Sequence, residues 1–315
     1  MDGSEARRTT RALPVKAVHM ALDPAWTLDE AVRQLVRGCL AQFEANEPGV
    51  TNPRNSEFLH QARIAMRRMR SALRLAPPPE DAVAFFRSEL GWLSGCLGEA
   101  RDWDVLLNDT LPPIARAYAA PAAADPDAKA QMTRLVNAAR RRRAQARGNV
   151  RLALQSARRD ALVAALESWL AAAPAAAPAL FTLREYATGE LRKRHKRLLR
   201  DAALLMERTP EERHRIRINA KRLRYAAEFF GSLFAGKAAK RYLRELVGLQ
   251  DALGALNDAA TATRLLADLP GRDALVPFIR GWIAARETDS LSAAQTALER
   301  LAGTPRFWKA AIQLT

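Results

Sequence analysis

The chain has 315 residues, 49% of them hydrophobic and 27% charged. That balance supports one large or two moderate folded domains with real cores and excludes an extended disordered chain. Lysine and arginine number 50 against 34 acidic residues, a net charge of +16, which favours polyanions: nucleic acid, an anionic membrane surface or a phosphate polymer.

Residues 1–23 read as a basic, mobile tail with Arg7, Arg8 and Arg11. A helix is expected from Pro24, with Leu28, Val32, Leu35, Val36, Cys39, Leu40 and Phe43 at helical spacing and Arg33 and Arg37 one turn apart. A loop with Pro48, Gly49 and Pro53 leads to a helix over 60–75, stopped by Pro77, Pro78 and Pro79. A third helix is expected over about 80–108, with a break at Pro112 and Pro113 and an Ala/Pro linker over 119–127. A long helix is then expected over about 128–170; its run Arg140 to Arg143 reads most simply as a solvated face. After an Ala/Pro linker over 171–179 the order recurs. Helices are expected over 183–206, 214–229, 236–266 and 274–301, and 303–315 as a C-terminal tail. The first of these carries Arg192, Lys193, Arg194, His195, Lys196 and Arg197. The expected halves are therefore 24–170 and 180–302.

The stretches HQARIAMRRMRSALRL (60–75) and HRIRINAKRLRYAAEF (214–229) share one frame. His60, Arg63, Arg67 and Arg70 align with His214, Arg217, Lys221 and Arg224, and Arg68 with Arg222. At about 100° per residue, His60, Arg63, Arg67, Arg70 and Arg74 fall within an arc of roughly 80°. Leu59, Ala62, Met66, Met69 and Leu73 fill the neighbouring arc. In the second copy Ile216, Ala220, Leu223, Ala227 and Phe230 are the apolar side. Each helix thus packs with one face and carries a row of cations along its edge. Such like-charge rows cost a few tenths of a kcal/mol per pair. Two rows in one frame point to an anionic partner rather than to solvated arginines. Leu97-Gly98 followed by Arg101-Asp102 likewise matches Leu253-Gly254 followed by Asn257-Asp258. The expected fold class is all-α: two pseudo-symmetric four-helix bundles from an internal duplication.

With these motifs the chain resembles the CHAD-domain family over roughly residues 25–305. The resemblance implies a basic groove or pore between the two bundles, binding of inorganic polyphosphate and association with polyphosphate granules in the bacterial cytoplasm. Carried over by position, the implied ligand residues are His60, Arg63, Arg67, Arg70, His214, Arg217, Lys221 and Arg224. Arg33, Arg37, Lys193, Arg194 and Arg197, on the first helix of each half, are further candidates. Some relatives carry a fused CYTH triphosphatase domain; this chain has no Glu-x-Glu-x-Lys signature for one.

The chemistry agrees. Arginines one turn apart, about 5.4 Å, can meet alternate phosphates of a linear chain, and each can bind phosphate oxygens bidentately. The stripes lack interleaved aromatics apart from Tyr225, unlike single-strand nucleic-acid platforms, although the charge would also attract nucleic acid nonspecifically. His60 and His214 read equally as ligands or as packing and capping residues. Asp102 and Asp258 read as braces or caps. No Gly-x-x-x-x-Gly-Lys loop or phosphoryl-transfer constellation is seen, so no catalytic residue, metal or cofactor is expected. Cys39 and Cys96 read as free thiols of a reduced interior. No run approaches the roughly 20 apolar residues of a membrane span, and no secretory signal is expected.

Overall fold

Three Thr-x-x-Glu capping boxes set helix starts, each satisfying orphan backbone donors reciprocally. Thr27 with Glu30 opens α1 (Leu28–Asn46), Thr182 with Glu185 opens the helix Leu183–Asp201, and Thr209 with Glu212 opens Pro210–Phe230. The protein is seen in a computed structural model that describes residues 13–119, 126–174, 181–234, 236–267, 269 and 275–309. After α1 come α2 (Glu57–Ala72), α3 (Glu80–Val105), α4 (Leu111–Ala119), α5 (Pro126–Leu154) and α6 (Ala157–Ala171). The second half holds α7 (Leu183–Asp201), α8 (Pro210–Phe230), α9 (Gly236–Ala267) and α10 (Leu275–Gly303). The fold is all-helical, with no strand among the described residues.

Several expected boundaries are corrected. The stretch 128–170 is two helices, because Ser156 turns to extended backbone and its side chain caps Arg159 N–H. Pro112 and Pro113 do not break the chain. They occupy the first turn of α4, where their missing N–H groups cost nothing, behind a π-turn over Leu106–Thr110. Pro210 likewise begins α8, ahead of the start expected at 214. α7 stops at Asp201, and the chain turns at Leu204, whose φ of 59° is left-handed.

Both ends of the described chain are fastened. Asn46 exchanges hydrogen bonds with the Val15 backbone at 3.0 and 2.8 Å, and Leu22 N–H donates to Ser232 Oγ at 3.0 Å. Residues 13–22 are therefore held to the helices, against the expectation of a mobile tail; Arg7, Arg8 and Arg11 lie outside the described residues, as do 120–125 and 175–180 of the two linkers. Phe307 and Trp308, expected in a tail, are 2% and 1% exposed. Trp308 packs edge-on against Tyr242 and His195. His195 lies 2.7 Å from the Tyr242 hydroxyl, and burial, with Arg306 and Lys309 nearby, pushes its pKa down to about 4. This histidine of the basic run is a neutral core residue.

α2 packs between α1 and α3, and α8 between α7 and α9, so each stripe helix lies inside its own half. The halves meet where α2 touches α8, α3 touches α9, and α10 touches α4 and α5. Their apolar side chains form one continuous cluster, from Leu22 to Trp308. The loop before α2 is fixed from α5: Arg147 donates to the Val50 and Asn52 carbonyls at 3.1 and 2.9 Å and to buried Asp104 at 2.6 Å. In the same loop, a Cβ at Gly49 would stand 2.3 Å from the Phe58 ring, so that turn admits only glycine.

Candidate anion-binding site

The two stripes converge. The apolar arc of α2 buries Leu59, Ala62, Met66 and Met69, and that of α8 buries Ile216, Ala220, Leu223 and Ala227. Burying both arcs turns the cation rows toward each other at the meeting of the halves. Lys221 has Arg217, Arg67 and Arg63 as its charged neighbours, with Asp258 opposing them. Arg67 has Arg63, Arg224 and Arg101 around it. Between the helices Arg68 turns inward. It bonds Glu228 at 2.5 Å, Glu228 also forms an ion pair with Arg224 at 3.0 Å without hydrogen-bond alignment, and the Arg68 guanidinium lies over the Phe229 ring.

α3 and α9 brace the rows from adjacent positions of the matched motif, Asp102 in one half and Asn257, the counterpart of Arg101, in the other. Arg63 donates to the Gly98 carbonyl at 2.9 Å and to Asp102 at 3.2 Å, while Arg217 donates to Asn257 Oδ1 at 2.9 Å. Asp102 also receives Arg264 at 3.6 Å. Asp102 is thus a brace. Asp258 is exposed at the surface, and desolvation by its neighbours raises its pKa despite Arg217, Asn257 and Lys221.

Burial and like charge work against these cations. Desolvation, then Arg217, Arg67 and Arg63, push the Lys221 ammonium down to about 6. Burial is also the first cause lowering the Arg67 and Arg217 guanidiniums. The Nε atoms of Arg67, Arg217 and Arg224 are buried without a hydrogen-bond partner. Neither Arg67 nor Lys221 has a carboxylate within ion-pair distance among the described residues. Unpaired buried donors of this kind are costly.

The remaining candidates are distributed as follows. His60 is half-buried at the α2 end of the row; burial, then Arg101, hold its pKa below the ordinary value. His214 is exposed, with Nδ1 3.1 Å from Asn257 Oδ1, so it shares an acceptor with Arg217. Arg70 stands beside Arg74 and Arg87 at the far end of α2. Arg33 and Arg37 lie away from the converging stripes. Arg33 is buried, pairs with Asp29 at 2.7 Å, lies over the Trp169 ring and donates to the Trp169 and Ala172 carbonyls. Arg37 donates to the Leu170 carbonyl at 3.3 Å. Both close the C-terminus of α6, where orphan carbonyls and the helix dipole attract cations. Lys193, Arg194 and Arg197 are also elsewhere: they line a cavity with Arg74 and Arg222 on the other side of α8. Arg101 lies near Arg67 among the converged cations, and Arg264 reaches them through Asp102; neither is among the residues the resemblance implies. Arg101 stands in the motif LGEARDWDV, where a cation beside the bracing Asp102 was the available signal.

The CHAD domain family model matches residues 34–267, most of the chain, and the protein belongs to the CHAD domain family. It is similar to the crystal structure of the CHAD domain from the plant Ricinus communis: 32% identity, 94% of this chain and 98% of that one covered, TM-score 0.74. PptA from Streptomyces chartreusis shares the fold at 19% identity, with 87% and 98% covered and a TM-score of 0.66. A search among curated proteins returns no match. Among the described residues no helix is long and apolar enough to cross a membrane.

Proposed function

We propose that this protein binds inorganic polyphosphate in the groove between α2 and α8 and does not turn it over. The observation that carries the reading is the meeting of Arg63, Arg67, Arg217, Lys221 and Arg224 with too few carboxylates to neutralise them. A linear anion with a charge on every phosphate compensates such a row; a single phosphate would leave most of it unmatched. Tyr225, the one aromatic among the stripe cations, is 4% exposed, so it offers no platform for stacked bases. Binding of this kind would hold the protein on polyphosphate granules in the cytoplasm.

Titration calorimetry with long-chain polyphosphate and with duplex DNA, at about 0.15 M salt, tests the proposal. Polyphosphate should bind far more tightly, and Arg63→Ala with Arg217→Ala should weaken it at least tenfold while the helical circular dichroism is retained. Equal or tighter binding of DNA would assign the surface to nucleic acid. Release of phosphate on incubation with Mg²⁺ would overturn the non-enzymatic reading.

A further inference from the structure

We infer that the cleft between the end of α2 and the first turns of α3 binds a single-tailed amphipathic anion, an acyl or aryl carboxylate, with its tail on an apolar floor and its head among Arg70, Arg74 and Arg87. The site is independent of the groove and stands whether or not the groove takes polyphosphate.

A proline stop builds the cleft. α2 ends at Ala72, and the chain passes through Pro77, Pro78 and an extended Pro79 before α3 begins. Proline fixes φ and has no N–H to donate, so the connection is stiff and the cleft is preformed, which spares a ligand the cost of ordering it. The volume is about 240 Å³, and the nine lining residues are of two kinds only, six apolar and three arginines. Leu73, Pro78, Phe86 and Leu90 are buried in the floor. Phe86 is held there edge-on by the Trp169 ring.

The two kinds of residue define the ligand. Arg70 lies in the last turn of α2, Arg74 just beyond it, and Arg87 comes from α3. None of the three has a carboxylate within ion-pair distance among the described residues. Burial, then Arg222, Arg70, Arg194 and Arg87, lower the Arg74 guanidinium, so like charge gathers here without a counter-charge from the protein. No side chain caps the start of α3, between the lining residues Pro78 and Val83, and its first-turn N–H groups add to the positive field. Guanidinium forks match a carboxylate head bidentately. The floor offers no side-chain donor or acceptor. A nucleotide base or a peptide laid on it would lose its hydrogen bonds to water without replacement, whereas a hydrocarbon tail gains by leaving water.

Calorimetry of the full chain with acetate, hexanoate and decanoate reads the tail directly. Decanoate should bind once per chain, and affinity should rise about two- to fourfold for each methylene added between hexanoate and decanoate, a gain that a diffuse positive surface does not give. Arg70→Ala with Arg87→Ala should weaken decanoate roughly tenfold or more. Val83 is a half-buried lining residue near the start of α3, where a polar side chain does not threaten folding. Val83→Gln should abolish the dependence on tail length and leave long-chain polyphosphate binding unchanged. Phosphatidylglycerol vesicles separate a membrane lipid from a free acid: the unaltered protein and Val83→Gln should sediment with them equally. Decanoate bound no more tightly than acetate, or bound equally by the unaltered protein and both variants, would overturn the site. Vesicle sedimentation that depends on Val83, without binding of free decanoate, would overturn the free carboxylate as its ligand.

Discussion

Lys221 shows how a binding residue is set by its surroundings. Burial and three neighbouring arginines bring its pKa to about 6, against an ordinary value near 10.4. In the free protein at pH 7 to 8 the amine is mostly neutral. A phosphate chain in the groove restores the charge, so binding takes up a proton and tightens as the pH falls from 8 to 6. Calorimetry in two buffers of different ionisation enthalpy reads the uptake directly, and Lys221→Met should remove it. The same shift fixes the sign of the stability effect. From about pH 6 up to the ordinary lysine range the unfolded chain holds a proton that the folded chain does not, so stability rises with pH across that window. The cost of burying Lys221 is therefore fully present below about pH 6, and Lys221→Met should raise the melting temperature of the free protein at neutral pH while weakening binding. An affinity that stays flat from pH 8 to 6 would refute this account. The stripe position of Lys221 was legible from spacing alone. Its suppressed charge was not, because Arg67 and Arg63 reach it from the other half. For the same reason the place of Arg33 was not legible: its spacing with Arg37 was visible, but the α6 carbonyls that take it lie 136 and 139 residues away.

At the scale of elements, periodicity and capping signals carried far. The helices that hold the two stripes lie close to where the spacing of apolar residues put them. The misreadings share one cause: a polar or proline residue has two uses, and packing chooses between them. Ser156 could have continued the helix but caps α6, and Pro112 could have ended one but sits in the first turn of α4. The basic run of α5 is similar. Arg140, Arg141 and Arg142 face outward, while Arg147, one turn beyond Arg143, anchors the loop before α2 through Asp104. Asp104 is fully buried, so Asp104→Ala should leave the Arg147 guanidinium uncompensated and cost about 3–5 kcal/mol. Urea denaturation should show this as a lowered midpoint. The loop release should also loosen the start of α2, where His60 and Arg63 stand. A change below about 1 kcal/mol would mean that water reaches Arg147 and that the loop is held by other contacts.

For the whole molecule, the net charge of +16 and the local groove make different demands on a ligand, and salt separates them. A diffuse field attracts any polyanion and weakens smoothly with ionic strength, whereas a groove loses one released counterion for each cation–phosphate contact removed. Polyphosphate affinity should therefore fall linearly on a log–log plot against salt. Removing Arg63 and Arg217 together should make that slope shallower by about 2, roughly one for each lost contact. Two exposed cations outside the groove, Arg141 and Arg142 on α5, provide the comparison. Converting them to alanine lowers the net charge by the same amount and should leave the polyphosphate slope nearly unchanged. Duplex DNA, held by the field alone, should respond equally to both pairs. If the α5 pair reduced the polyphosphate slope as much as the groove pair did, net charge would suffice to explain the binding and the meeting of α2 with α8 would have no special part in it.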